Sequence, residues 1–199
     1  MPELLEIEMY RRGASRLVGR TITSVEAPDD RYLKGVGPDA MAVAITGATV
    51  ESLGRVGKLM LVETTVATVG LRFGMTGILV IDDEPVIAEL EYSSKRLDPD
   101  WNRFTVHFAD GGRMDMNDPR RLGSVELEPD LTKLGPDAWS VGVDELRSIF
   151  GRYKVVTKAL LLNQKRLAGL GNLLVDELLW RTGISPVRLA NEVTEGAIV

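Results

Sequence analysis

The sequence predicts an α+β protein with a leading helix, a β-rich sandwich or barrel, and a closing run of helices. Three observations predict it. Pro2 to about Leu17 carries helical periodicity. Ten short β-rich runs, punctuated by Gly, Asp and Pro, lie between Thr21 and Leu127. Near Leu131–Pro136 the pattern returns to helical spacing. The 199 residues suffice for one large domain or two small ones.

In the first helix, Leu5, Met9 and Leu17 fit one face with Ile7 close by, and Glu3, Glu6 and Glu8 suit the positive end of the helix dipole. Gly19 breaks it. The predicted strands are Thr21–Val25, Met41–Ile45, Thr49–Leu53, Leu59–Glu63, Val66–Phe73, Ile78–Ile81, Val86–Leu90, Phe104–Phe108, Arg113–Met116 and Ser124–Leu127. Asp110-Gly111-Gly112 is a typical turn between two of them. Val143–Phe150, Val156–Asn163, Asn172–Arg181 and the end from about Thr194 read as helices. Thr157 and Asn172 are candidate caps, and Gly183 is placed as a C-cap with Pro186 beyond it. A helix starting at Thr194 would have too few residues to be stable alone, so the chain reads as cut short.

The composition is that of a globular protein: 44% hydrophobic and 27% charged residues. Cysteine is absent, which excludes disulfides and thiolate metal sites and fits an intracellular, cytoplasmic protein. The acidic start, MPELLEIEMYRRG, is not a secretory signal, and no apolar run reaches the roughly 18 residues that cross a bilayer. A net charge of −5 counts mildly against nucleic-acid binding. Local clusters count the other way: Arg11, Arg12, Arg16 and Arg20; Arg120 and Arg121; Lys154, Lys158, Lys165 and Arg166.

Three segments carry chemistry. In Pro2-Glu3-Leu4-Leu5-Glu6, removal of Met1 leaves a secondary amine at Pro2. An α-amino group has a pKa of about 7.7–8.0, so a useful fraction is a neutral nucleophile near pH 7. Glu3 could pass protons beside it. The plain alternative is a helix start, where Pro and Glu are both favoured. Gly54-Arg55-Val56-Gly57-Lys58-Leu59 lacks the first glycine and final hydroxyl of a phosphate-binding loop, so Lys58 is either an exposed turn residue or a cation near phosphate. Phe73-Gly74-Met75-Thr76-Gly77 and Asn117-Asp118-Pro119-Arg120-Arg121-Leu122-Gly123 form the third. Met75 and Leu122 are core residues and Arg120 pairs with Asp118, or else all three enter a base stack in place of an extruded nucleotide. His107 lies in a strand pattern and reads as structural.

Taken together, these segments resemble the formamidopyrimidine-DNA glycosylase (Fpg/Nei) family. PELLEIE resembles the family's PELPEVE start, RVGKLMLVE its RGKYLLLE-like strand, FGMTG its LGMSG turn and NDPRRLG its NDPRRFG loop. LLLNQKRLAGLGNLLVDELLWRTGISP resembles its helix–two-turn–helix segment. Five ordered motifs cover nearly the whole chain.

The resemblance implies a two-layer β-sandwich with an N-terminal helix over residues 1–130, and a helix–two-turn–helix DNA-binding domain over 131–199, with the family's C-terminal zinc finger absent or truncated. It implies Pro2 as the nucleophile that forms a Schiff base with deoxyribose, and Glu3 as the carboxylate that protonates the sugar ring oxygen. Glu6 supports the site, and Lys58 contacts phosphate near the lesion. Met75, Arg120 and Leu122 fill the void, with Arg120 facing the orphaned base. Gly171 and Asn172 meet phosphate at a helix N-terminus. The implied activity is excision of oxidised bases, purines favoured, with β,δ-elimination, by a monomer on damaged double-stranded DNA in a prokaryotic nucleoid. No metal ligand set and no membrane partner are implied for this chain.

Two departures bear on specificity: Leu5 replaces a proline and Leu122 a phenylalanine that could stack. Alternatives are a catalytically weak damaged-DNA-binding module and an endonuclease VIII-like glycosylase for oxidised pyrimidines. A structural RNA-binding role leaves the Pro2-Glu3 start and the 117–123 loop unused.

Overall fold

The computed structural model describes residues 2–88, 96–194 and 196. They form two compact units, the first made of residues up to Arg55 with Leu59–Pro129, the second of Val56–Lys58 with residues from Asp130 onward.

In the first unit, helix α1 (Leu4–Gly13) runs into a 3-10 turn, Ala14–Leu17. Its buried face is Leu4, Ile7 and Tyr10, continued by Ala14 and Leu17. Leu5 and Met9, expected on that face, are exposed. The reason is the three-residue step from Leu4, which turns Tyr10 inward to stack on Phe73 at 4.2 Å between centroids and 15° between planes. Glu8, on the same helix, meets Arg11, Arg12 and the largely buried Arg55 of the sandwich.

Two five-stranded sheets follow. One has β1 (Ile22–Glu26), β8 (Asn102–Phe108), β9 (Arg113–Asn117), β6 (Ile78–Ile81) and β7 (Glu84–Pro85), in that order. The other runs β2 (Leu33–Lys34), β10 (Ser124–Leu127), β5 (Thr68–Arg72), β4 (Leu59–Thr64) and β3 (Val50–Val56). The β2–β10 pair is parallel, while β1–β8–β9–β6–β7 and β10–β5–β4 pair antiparallel. Apolar residues of both sheets, among them Met60, Leu71, Leu79, Phe104, Val106 and Met116, share one buried cluster with Ile7, Tyr10 and Leu17. The sandwich reading therefore holds over the barrel.

Met41–Ile45 is not a strand: it is the second half of helix α2 (Pro38–Ile45). Pro38 presets the first turn, and Met41 and Ile45, four residues apart, bury one helical face. Five apolar residues alone do not distinguish the two periods. The run expected at Val86–Leu90 is displaced: the pairing strand is Glu84–Pro85, Val86–Ala88 are bent, and Glu89 and Leu90 lie outside the described residues.

The second unit holds α3 (Val143–Arg152), α4 (Thr157–Leu162) and α5 (Asn172–Thr182). Phe150, Leu160, Leu161, Leu167, Val175, Leu179 and Ile184 are buried within it. Thr157 and Asn172 are first helical residues rather than caps; Val156 and Gly171 precede them in extended conformation. The Thr157 hydroxyl instead donates to Arg188 O at 2.9 Å, tying α4 to the returning chain. Gly183 closes α5 in the left-handed conformation at φ 65°, as expected of a C-cap. The helix expected from Thr194 lies outside the described residues except at Thr194 and Gly196.

The Glu8 cluster makes acid sensitivity testable. Its hydrogen bond to Arg11, with help from Arg12, lowers the Glu8 pKa from 4.5 to about 2. A depressed carboxylate stabilises the fold above its unfolded pKa, and that contribution fades as pH falls from 4.5 towards 2. Glu8→Gln is expected to lose about 1 kcal/mol at pH 7, after allowance for solvent screening, and almost nothing at pH 2. Urea unfolding at both pH values measures it.

Candidate active site

The residues singled out by sequence fall into two groups, one in each unit. In the first, α1 positions the amino end. Glu3 is its N-cap, and its backbone N–H donates to Glu6 Oε2 at 2.9 Å, one half of a capping box. Ile7 N–H donates to Glu3 O at 3.0 Å, so Glu3 is held from both sides. Pro2 and Glu3 are buried. A glutamate only 4% exposed at a helix start is costly unless its carboxylate is used.

Phe73, under Tyr10, begins the turn that carries Met75. Gly77 N–H donates to Phe73 O at 2.8 Å and closes it. Gly74 has φ 58°, and a Cβ there would stand 2.3 Å from the Leu122 carbonyl carbon. Glycine is required on both counts. The turn and the 117–123 loop are thus pressed backbone to backbone, with Met75 43% and Leu122 48% exposed. Neither is a core residue. Arg120 is exposed beside them, and Asp118 accepts its backbone N–H at 3.2 Å rather than serving as a simple ion-pair partner. Arg121 is committed elsewhere: its backbone is left-handed at φ 57°, and its Nε lies 2.7 Å from the buried Asp29.

The second group is built round the tip of the β3–β4 hairpin. Gly57 N–H donates to Asp137 Oδ2 at 2.6 Å, while Asp137 Oδ1 accepts from Trp139 N–H at 2.9 Å. Gly57 has φ 57°, and a Cβ on it would meet Ala168 Cβ at 2.7 Å and Gly169 N at 3.0 Å. Lys58, half-buried, follows at once. The Ala168–Gly171 turn is held by Gln164, whose Oε1 accepts from Gly169 N–H and whose Nε2 donates to Leu170 O, both at 2.9 Å. It leads into Gly171, the N-cap of α5, and the exposed Asn172. The hairpin lysine and the helix N-terminus are therefore organised around one backbone turn.

Sequence reasoning missed Asp137 and Gln164. Gly135-Pro136-Asp137 is a turn signature that could have drawn attention to the aspartate; nothing marks Gln164. The basic cluster near the start also reads differently in three dimensions. Arg11 and Arg12 pair with Glu8, Arg16 with Glu84, and Arg20 with Asp82 and Asp110. These are intramolecular pairs rather than a polarised face. His107 is structural as expected, with Nε2 2.9 Å from Glu26 Oε1 across the β1–β8 pair.

The family models of the formamidopyrimidine-DNA glycosylase N-terminal domain and H2TH domain match residues 1–125 and 134–198. The chain belongs to the formamidopyrimidine-DNA glycosylase family. It is 37% identical to the Paracoccus denitrificans formamidopyrimidine-DNA glycosylase over 98% of this chain and 72% of that protein. With the Streptococcus mutans protein of the same name it shares 33% over 100% and 72%. A solved complex of Lactococcus lactis Fpg with abasic-site DNA superposes with a TM-score of 0.81 at 29% identity, covering 98% of this chain and 72% of that one.

The formamidopyrimidine-DNA glycosylase resemblance implies a zinc finger, but this chain has no cysteine to supply thiolate ligands. Among the described residues no group of three or more His, Asp or Glu is placed to hold a metal ion. The residues present do not fit that group, and no chemical step runs through it.

The Gly57 geometry yields a prediction. Gly57→Ala combines a left-handed backbone with overlap on Ala168. It is expected to destabilise the protein by about 2 kcal/mol, read by chemical denaturation.

Proposed function

We propose that this DNA glycosylase of base-excision repair is bifunctional: it releases an oxidised base, purines favoured, and then nicks the strand. The observation that carries this reading is the pairing of a buried Pro2-Glu3 start with two exposed apolar side chains, Met75 and Leu122, on turns locked together in the same unit. Residues 1–130 are read as the catalytic domain and 131–199 as the helix–two-turn–helix domain.

With Met1 removed, the Pro2 nitrogen attacks the sugar C1′ as the glycosidic bond breaks, and Glu3 delivers a proton to the ring oxygen. A secondary amine gives an iminium directly. Its positive charge acidifies the neighbouring sugar carbon; loss of that proton allows the 3′ phosphate, and then the 5′ phosphate, to leave. Glu6 acts by holding the Glu3 backbone. Met75, Arg120 and Leu122 occupy the space left by the extruded nucleotide. Lys58 and the N-terminal end of α5, with Gly171 and Asn172, receive phosphates.

The substrate is damaged double-stranded DNA, engaged by a monomer at the bacterial chromosome. Among the described residues no helix is long and apolar enough to cross a membrane. Leu122 favours shape filling over ring stacking, which keeps oxidised pyrimidines as the second substrate class.

Borohydride reduction during reaction with an abasic-site duplex is expected to trap protein whose N-terminus, by mass spectrometry, begins at Pro2. A form extended by one residue before Pro2 should give no adduct, because its proline nitrogen is an amide. Equal trapping by both forms rejects Pro2 as nucleophile.

A further inference from the structure

Asp118 is a fully buried carboxylate of the first unit that accepts at both oxygens and has no place in the chemistry above. It is 0% exposed. Its Oδ1 accepts from the Thr76 hydroxyl at 2.6 Å and from Arg120 N–H at 3.2 Å; its Oδ2 accepts from Gly123 N–H at 2.8 Å. Its own backbone is fixed independently: Asp118 N–H donates to Trp101 O at 2.8 Å, and Arg103 Nε donates to Asp118 O at 2.9 Å. The buried Tyr32 hydroxyl lies against Gly123 on the same side, its pKa raised by burial first and by the Asp118 charge second.

The three donors sit at meaningful positions. Thr76 follows Met75, Arg120 is itself an intercalating candidate, and Gly123 follows Leu122. One side chain therefore holds the residue next to, or at, each of the three groups that would enter the base stack. A carboxylate suits the task because it accepts at both oxygens and donates at neither. Burial makes its bonds directional and costly to lose.

We propose that Asp118 is the positioning residue of the void-filling triad: it sets Met75, Arg120 and Leu122 as one rigid wedge and takes no part in proton or electron transfer. The proposal rests on the wedge reading given above. Insertion of a wedge matters only where a stacked duplex must be opened. A single-stranded abasic site presents C1′ without any stack to break. Loss of the wedge geometry and loss of the chemistry are thereby separable.

Asp118→Asn tests this, because asparagine fills the same volume but has one acceptor oxygen for three donors and turns an NH2 towards at least one of them. The variant is expected to process a lesion in duplex DNA at least about tenfold more slowly while trapping on a single-stranded abasic oligonucleotide within about twofold of wild type. Thr76→Val, which removes a single donor, should show the same split at about threefold, and Thr76→Ser should restore the wild-type rate. Equal losses on both substrates by both variants mean a merely structural role and overturn the proposal; so does a wild-type duplex rate in Asp118→Asn. Leu122→Ala separates the two layers. If it shows the split and Asp118→Asn does not, only the positioning role fails; if Leu122→Ala leaves duplex processing unchanged, the wedge reading itself falls.

Discussion

The stack of Tyr10 on Phe73 is the contact on which the first unit's arrangement depends. Tyr10 lies on the buried face of α1, whose N-cap is Glu3, and Phe73 begins the turn that carries Met75. The contact therefore joins the end of the chain proposed to bear the nucleophile to the turn proposed to enter DNA, within one packed core. Because α1 is a stiff element of ten residues, a shift at the stack moves its first turn with it. Glu8 and its arginines add an electrostatic tie on another face of the same helix. Reaction geometry tolerates errors of well under an ångström, so chemistry at a chain terminus needs this kind of anchoring.

Much of this was legible in the sequence, for identifiable reasons. The succession of short β-rich runs broken by Gly, Asp and Pro reported a sandwich or barrel, because only short strands fit between such frequent turn signals, and the Gly183 stop reported a helix end because few residues accept φ 65°. Met75 and Leu122 were legible only as ambiguous apolar residues. Their exposure goes with the close approach of Gly74 to the Leu122 backbone, and no local pattern encodes that approach. Met41–Ile45 failed for the opposite reason: its local pattern fits both periods, and only the long-range core chose between them. Asp137 and Gln164 were missed because their partners are backbone atoms distant in sequence, at Gly57 and at the Gly169–Leu170 turn.

The charge distribution resolves an apparent conflict between an acidic chain and a polyanionic substrate. Most early arginines are consumed by intramolecular pairs, and the paired Arg20 side chain is also stacked over Phe108 at 4.4 Å. Such residues add fold stability rather than phosphate affinity. On the proposed reading, recognition falls on few groups: the hairpin Lys58, the N-terminus of α5 and the exposed Arg120. Backbone N–H groups and a helix dipole attract phosphate without altering net charge, so a value of −5 does not oppose binding at such a site. Affinity from so few ionic contacts has a shallow salt dependence, unlike that of a broad basic face.

On the proposed reading, leucine at 122 sharpens the division of labour between wedge and chemistry. A phenylalanine wedge recovers stacking energy from the base pair it enters, on the order of 1–3 kcal/mol per base for aromatic side chains. Leucine fills the gap but forgoes that return. The cost of holding the duplex open must then be met by making the wedge nearly free of conformational entropy before contact, since every rotamer or loop state frozen on insertion is charged against binding. The features around Leu122 act in that direction: a left-handed Arg121 anchored on Asp29, a backbone pressed on Gly74, and a buried carboxylate that takes the N–H of Gly123. On the proposed reading, a weaker wedge on a firmly held mount is a coherent solution, and the contacts that hold the 117–123 loop are the physical counterpart of an aromatic ring.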